Sequence, residues 1–298
     1  MTEFTWQYKG ESPIKVRTFI MGYGITRTLL KKIKYHGGQT LVNGEESLVN
    51  RLLTTEDVVK VVLPPEPEND HVDVSNVPIH IVHEDPNFLV VNKPAGVASV
   101  PSHNYSTDSL VNRVKGYYQR QGYANQRIHI VTRLDKDTSG LVIFAKHHFA
   151  HSVLDKQLKD RTIQKKYLAI VAGRISSPHF EIYLPIGRTE DSFVKRQVTA
   201  AGKMSVTEAW TVCRLANQTL LKVQLHTGRT HQIRVHMEAV GHPLIGDWLY
   251  NPDDHSMPRQ ALHCAELTFY DPFSGNNIHC EAPLPSDMQS YIALNKGL

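Results

Sequence analysis

Cysteine is scarce in these 298 residues, long apolar runs are missing, and the common phosphate-cradling and acyl-transfer motifs are absent. Three cysteines, Cys213, Cys264 and Cys280, form an odd and widely spaced set that suits a reducing compartment and offers no CxxC metal knuckle, so structural zinc is not expected. No stretch approaches the roughly 18 to 20 apolar residues that cross a bilayer, and the opening Met1-Thr2-Glu3-Phe4-Thr5-Trp6 lacks the basic-then-apolar order of a signal peptide. The expectation is a cytoplasmic protein with no membrane role. The glycines match neither GxxxxGK[ST] nor GxGxxG, and no Gly-x-Ser-x-Gly elbow occurs, so a nucleotide-binding loop and serine acyl transfer are both unsupported. The net charge of +4 permits a polyanionic partner without demanding one.

A hydrophobic content of 41% can fill a sizeable core, in one large domain or in two of unequal size. The stretch Pro64-Pro65-Glu66-Pro67-Glu68-Asn69-Asp70 can continue neither a helix nor a central strand and reads as a linker, dividing the chain into residues 1–70 and 71–298. Upstream, Thr26 is a candidate N-cap for a short helix that Gly37-Gly38 stops. Leu29, Leu30 and Ile33 would share its apolar face, leaving Arg27, Lys31 and Lys34 outward. Thr40–Val42 and Val58–Leu63 read as strands, with Asn43-Gly44 a tight-turn signal. Downstream, strand candidates at 88–92, 141–145, 167–171 and 220–225 alternate with helical stretches at His148–Lys159 and from near Thr230 to Gly241, which makes the larger part α and β together. Strand order is not legible. Residues 133–174 carry nine Lys or Arg against four Asp, net +5, whereas residues 64–87 carry six acids and no Lys or Arg. Such runs are ordinarily solvated faces.

Two stretches could carry chemistry. Asp135 and Asp137 stand in a polar run before the apolar strand candidate at 141–145, the kind of rigidly held loop on which catalytic carboxylates sit, although loop acids also cap or simply face solvent. Residues 224–234 read as strand, glycine turn and helix start, and such a turn can aim backbone N–H groups and Arg229 at an anion. His231 and His236 are five apart, not the i, i+4 pair of a zinc hydrolase, and read as ordinary capping and surface histidines. A metal-dependent nuclease built on Asp135 and Asp137 would need further clustered acids, and none is placed for it.

Four separated stretches, taken together, carry a resemblance: Asn92-Lys93-Pro94-Ala95-Gly96; Arg133-Leu134-Asp135-Lys136-Asp137-Thr138-Ser139-Gly140; Lys166-Tyr167-Leu168-Ala169 with Val171 and Gly173; and Thr227-Gly228-Arg229-Thr230-His231-Gln232-Ile233-Arg234-Val235-His236. The trailing 241–247 and Ala282-Pro283-Leu284-Pro285 fit as well. In this order and at these separations the chain resembles the RluA-type pseudouridine synthases, from about Ile81 to Asp287, and its N-terminal segment more loosely resembles the small S4-like RNA-binding module. The resemblance implies an α+β fold with a large mixed, mainly antiparallel sheet crossed by a cleft. It implies an isomerase that converts uridines in structured RNA to pseudouridine, ribosomal RNA first and transfer RNA second, with no cofactor, no metal and no obligate protein partner. Asp135 would start the reaction, Arg229 would hold it ionised, Tyr167 would stack on the base and serve in proton transfer, and Arg133 would fill the space of a flipped uridine. Thr132 stands where the family usually has histidine. The competing reading is a non-catalytic RNA-binding or ribosome-assembly protein on the same fold.

Overall fold

The computed structural model describes residues 2–69, 71–102, 105–192 and 194–296; Asp70, where the sequence divides, lies outside the described residues. The chain opens with β1 (Glu3–Gln7), β2 (Ile14–Lys15), α1 (Val16–Gly22), α2 (Arg27–Tyr35), β3 (Gln39–Val42), β4 (Glu45–Glu46), β5 (Leu52–Leu53) and β6 (Val58–Val62). These make a four-stranded antiparallel sheet in the order β1-β6-β3-β4 and a separate β2–β5 pair. Asn43 and Gly44, at φ of 54° and 86°, close the β3–β4 hairpin, the positive-φ pair that an Asn-Gly turn supplies. Thr26 Oγ1 accepts the Leu29 N–H at 3.2 Å and starts α2, whose Leu29, Leu30 and Ile33 are buried while Arg27, Lys31 and Lys34 are exposed.

The larger unit follows with β7 (His80–Glu84), β8 (Phe88–Lys93), α3 (Leu110–Gln121), β9 (His129–Ile130), β10 (Ser139–Ala145), α4 (His148–Lys159), β11 (Gln164–Ala172) and β12 (His179–Arg188). It continues through β13 (Arg196–Val198), β14 (Lys203–Arg214), β15 (Gln218–Leu225), α5 (Gln232–Ala239), β16 (Leu262–Asp271), β17 (Asn276–Glu281) and α6 (Ser286–Asn295). One 11-stranded sheet runs β13-β12-β14-β15-β11-β16-β10-β8-β7, with β17 on β16 and β9 on β10. Among the described residues only β10 and β16 pair in parallel. Every residue of β10 is buried, as a strand covered on both faces must be, and its apolar run Leu141–Ala145 supplies that burial. Gly140 sits in β10 at φ 114°, and a Cβ there would stand 2.2 Å from the carbonyl oxygen of Cys264, so β10 and β16 approach this closely only because residue 140 has no side chain. The fold is therefore the mixed, mainly antiparallel α+β sheet that the motifs imply.

The two units touch through apolar surface. Phe149 and Val153 of α4 complete the N-terminal core, and Phe4 packs edge-on against Phe149 at 4.9 Å and beside Phe273 at 5.0 Å. The proline-rich stretch is laid along the larger unit instead of crossing open space. Its prolines remove backbone donors, so side chains and carbonyls make the ties: Glu66 to His129 at 2.8 Å, Asn69 Oδ1 from the Ile128 N–H at 2.7 Å, and the Pro67 carbonyl from Arg127 at 3.2 Å. No helix among the described residues is long and apolar enough to cross a membrane.

Candidate active site

The loop from Thr132 to Thr138 enters β10 and is held from several sides. The Thr138 N–H donates to the Asp135 carbonyl at 3.1 Å and closes a turn. Ser99 Oγ donates to the Leu134 carbonyl at 2.6 Å and accepts the Leu134 N–H at 3.0 Å. Lys93, fully buried, donates to the carbonyls of Val97, Lys136 and Pro94 at 2.7, 2.8 and 3.0 Å. Burial draws its ammonium down to about 7, with Asp137 and Asp135 opposing that fall. Thr132 is buried too, and its Oγ1 accepts the Ile143 N–H at 3.2 Å, tying the loop to β10. So held, the Asp135 carboxylate stays 30% exposed in a cleft of about 870 Å³, which Arg133, Lys165, Tyr167, Arg229 and His231 also line.

The guanidinium that reaches Asp135 belongs to Arg234, not to Arg229. Arg234 Nη1 lies 3.2 Å from Asp135 Oδ2, while its Nε and Nη2 grip the fully buried Asp247 at 2.7 and 2.8 Å. Asp247 is itself fixed by the N–H groups of Leu249 and Tyr250 at 3.0 and 3.2 Å. Burial disfavours the charge on Arg234, but Asp247 and then Asp135 outweigh it and hold the guanidinium more firmly ionised. The reason Arg229 does not serve lies in its turn: its backbone N–H donates to Gln232 Oε1 at 3.0 Å, and its side chain makes no ion pair among the described residues. Its Nε is buried without a hydrogen-bond partner.

Of the two histidines, one takes the capping position read from the sequence and the other does not lie on the surface. His231 caps α5 in the left-handed conformation at φ 57°, with Nδ1 3.0 Å from the Tyr250 hydroxyl and Nε2 3.8 Å from Asp135 Oδ2. Burial pulls its imidazole below the ordinary value; Asp135 opposes the shift and Arg234 adds to it. His236 is fully buried rather than on the surface, its Nε2 3.1 Å from the Leu184 carbonyl. Tyr167 lies in β11 beside a bulge at Lys166/Tyr167, the kind of irregularity that re-aims a side chain near a site. Burial, followed by the neighbouring Cys264 and Asp135, pushes its phenol well above its ordinary range, which keeps it protonated. Arg133 is exposed and makes no hydrogen bond or ion pair among the described residues.

The sequence therefore led to Asp135, Tyr167, Arg229 and Arg133 as neighbours in one cleft but gave Asp135 the wrong arginine as partner, and it missed Arg234, Asp247, His231 and Lys93 as the groups that hold the carboxylate or its loop. All four fall in stretches that carry the family resemblance, yet only the folded pairing of residues 13 and 99 positions apart shows which side chains meet. The arrangement leaves Asp135 Oδ2 on an arginine and Oδ1 without a hydrogen bond among the described residues. Such a carboxylate can act as nucleophile or base toward a group in the cleft.

With that geometry in place, likeness to known proteins becomes informative. The RNA pseudouridylate synthase family profile matches residues 87–239, a span that holds Lys93, Asp135, Tyr167, Arg229 and Arg234. An uncharacterized RNA pseudouridine synthase of Bacillus subtilis (strain 168) is 40% identical over 277 residues, covering 93% of this chain and 98% of its own. The ribosomal large subunit pseudouridine synthase D of Pseudomonas aeruginosa is 39% identical over 234 residues, covering 74% of this chain and 72% of its own. The structure of human RNA pseudouridylate synthase domain containing 1 superimposes with a TM-score of 0.62 at 24% identity, over 74% of this chain and 89% of that one, a likeness of fold. The chain belongs to the RNA pseudouridine synthases of the RluA type, isomerases that convert uridine in RNA to pseudouridine.

Proposed function

We propose that this enzyme isomerises chosen uridines of ribosomal RNA, with Asp135 as the catalytic carboxylate. The observation that carries the reading is the line Asp247–Arg234–Asp135, which begins on a fully buried acid and ends at a carboxylate open to the cleft beside Tyr167. Uracil must break its N1 bond to C1′, turn, and rejoin C1′ through C5, with the C5 proton lost and N1 protonated; no electron leaves the system. Asp135 attacks the sugar or removes a ribose proton on the way to a glycal. Arg234 orients it through the 3.2 Å contact, and Tyr167, a neutral phenol, stacks on the base and relays a proton. Arg133, unpaired at the cleft wall, fills the gap left by the flipped nucleotide, at a cost of a few kcal/mol of unstacking. Arg229 and Lys165 meet phosphate or ribose oxygens.

Residues 1–70 act as an S4-like RNA-binding module and residues 71–298 as the catalytic unit. Arg27, Lys31 and Lys34, exposed on one face of α2 without an ion pair among the described residues, are the module's phosphate contacts. The enzyme works in the cytoplasm without an obligate protein partner. The choice of ribosomal over transfer RNA rests on relatives named for the ribosomal large subunit. Mapping pseudouridines across total RNA from cells with and without the gene tests it. The expected result is loss of one or a few sites in large-subunit ribosomal RNA; loss confined to transfer RNA overturns that choice of substrate.

A further inference from the structure

Away from the cleft, at the seam between the two units, two imidazoles stand beside one carboxylate, with a third ring packed against them. Glu66 Oε2 is 2.8 Å from His129 Nε2, and its Oε1 accepts the His148 N–H and Asn125 Nδ2 at 2.9 Å each. Ligand atoms of Glu66, His129 and His148 lie within 4.8 Å of one another. The ring of His151 stands 5.3 Å from that of His129, and the ring of His148 is 6.0 Å from it. Among the described residues the His148 ring makes no hydrogen bond. Glu66 and His148 also line a cavity of about 230 Å³ under the proline-rich stretch, which gives an ion an entry path and room for a bound water.

We propose that Glu66, His129 and His148 bind a divalent transition-metal ion of the zinc class, which fastens the stretch Pro64–Asn69 and the N-terminal module to the catalytic unit. Two imidazoles and a carboxylate, with water in the fourth position, suit such an ion and not calcium or magnesium, which demand oxygen. Tetrahedral ligands at about 2.0–2.2 Å from the metal stand roughly 3.3 Å apart, within reach of the present spacing after small side-chain rotations. The supporting shell exists already, since Asn125 and the His148 N–H orient the carboxylate. Lys32 faces the same cavity and opposes a cation, which the Glu66 charge offsets. The cysteine count and histidine spacing could not reveal this set, because its members come from a loop, a strand and a helix far apart in sequence. It shares no residue with the cleft, so it stands or falls apart from the assigned reaction.

The test uses the full chain, stripped with a chelator and titrated with zinc chloride or cobalt chloride by equilibrium dialysis. Glu181, Glu208 and His226 form a second group of suitable atoms on the sheet surface and provide the control. The expected result is one tightly bound equivalent, ligand-field bands of tetrahedral cobalt, slower proteolysis within 64–69 when zinc is present, and at least a tenfold loss of affinity in His148→Ala and in Glu66→Gln but not in Glu208→Gln. His129→Asn replaces His148→Ala should the latter fail to fold. Absence of stoichiometric binding, unchanged affinity in the seam variants, or loss in Glu208→Gln overturns the proposal.

Discussion

Arg234 and Arg229 differ by five positions and by everything that matters to Asp135. Arg234 presents a rigid fork, two of its nitrogens spent on Asp247 and the third on Asp135. A lysine carries the same charge on a single ammonium and cannot bridge both acids. Arg234→Lys should therefore lower kcat by about 10² to 10³, the magnitude found when one preorganised electrostatic partner is removed, with RNA affinity within a few-fold of the parent. Single-turnover assays on a modified-site transcript measure both. Arg229→Lys should instead weaken binding with kcat nearly intact; the reverse pattern would return Asp135's partner to Arg229. Sequence placed both arginines in the right stretch but could not separate them, because the choice depends on an αL cap at His231 and on a buried acid 13 residues downstream of Arg234.

At the level of elements, legibility followed locality. The His148–Lys159 helix appears with the bounds that its i, i+4 apolar pairs predict, and α2 begins at its Thr26 cap, because caps and spacing act within a few residues. The β12–β14 arm, the α3 helix and the strand order stayed hidden: their pairing partners are distant, and α3 carries Asn112 and Lys115 buried on its inner face, which blurs its apolar stripe. One cap is unusual. His147 Nδ1 accepts the Ala150 N–H at 3.1 Å while Nε2 lies 3.0 Å from Asn87 Oδ1, an arrangement that needs the neutral ring. Burial lowers its pKa from 6.5 to about 4, with Glu66 and Asp85 opposing the shift and His129 and His148 adding to it. The unfolded chain thus takes up this proton first, so the stabilisation is complete above pH 6.5, declines as pH falls toward about 4, and is flat below. The loss is on the order of 3 kcal/mol. Denaturant melts of His147→Asn, which caps without titrating, should show a shallower decline between pH 6.5 and 4 than the parent; equal slopes would remove His147 from the acid response.

As a whole, the molecule joins its N-terminal strands and helices to the large sheet through Phe4, Phe149 and Phe273 and the pinned stretch Pro64–Asn69. Removing residues 1–69 uncovers the Phe149 and Val153 face of α4, so the remaining unit should stay folded yet melt lower than the parent. It should bind RNA more weakly, because Arg27, Lys31 and Lys34 go with the module, and each phosphate they neutralise accounts for roughly 0.7 to 0.9 in the slope of log K against log salt. Unchanged affinity and slope would deny the module its RNA role, and an unfolded remainder would deny the division. The most direct measurement of the central claim is tritium release from RNA bearing 5-tritiated uridine, by the full chain and by Asp135→Asn. The asparagine keeps the shape and loses the charge that Arg234 holds, so release should vanish while folding and most of the RNA affinity persist; turnover by the variant at an appreciable fraction of the parent rate would contradict the account.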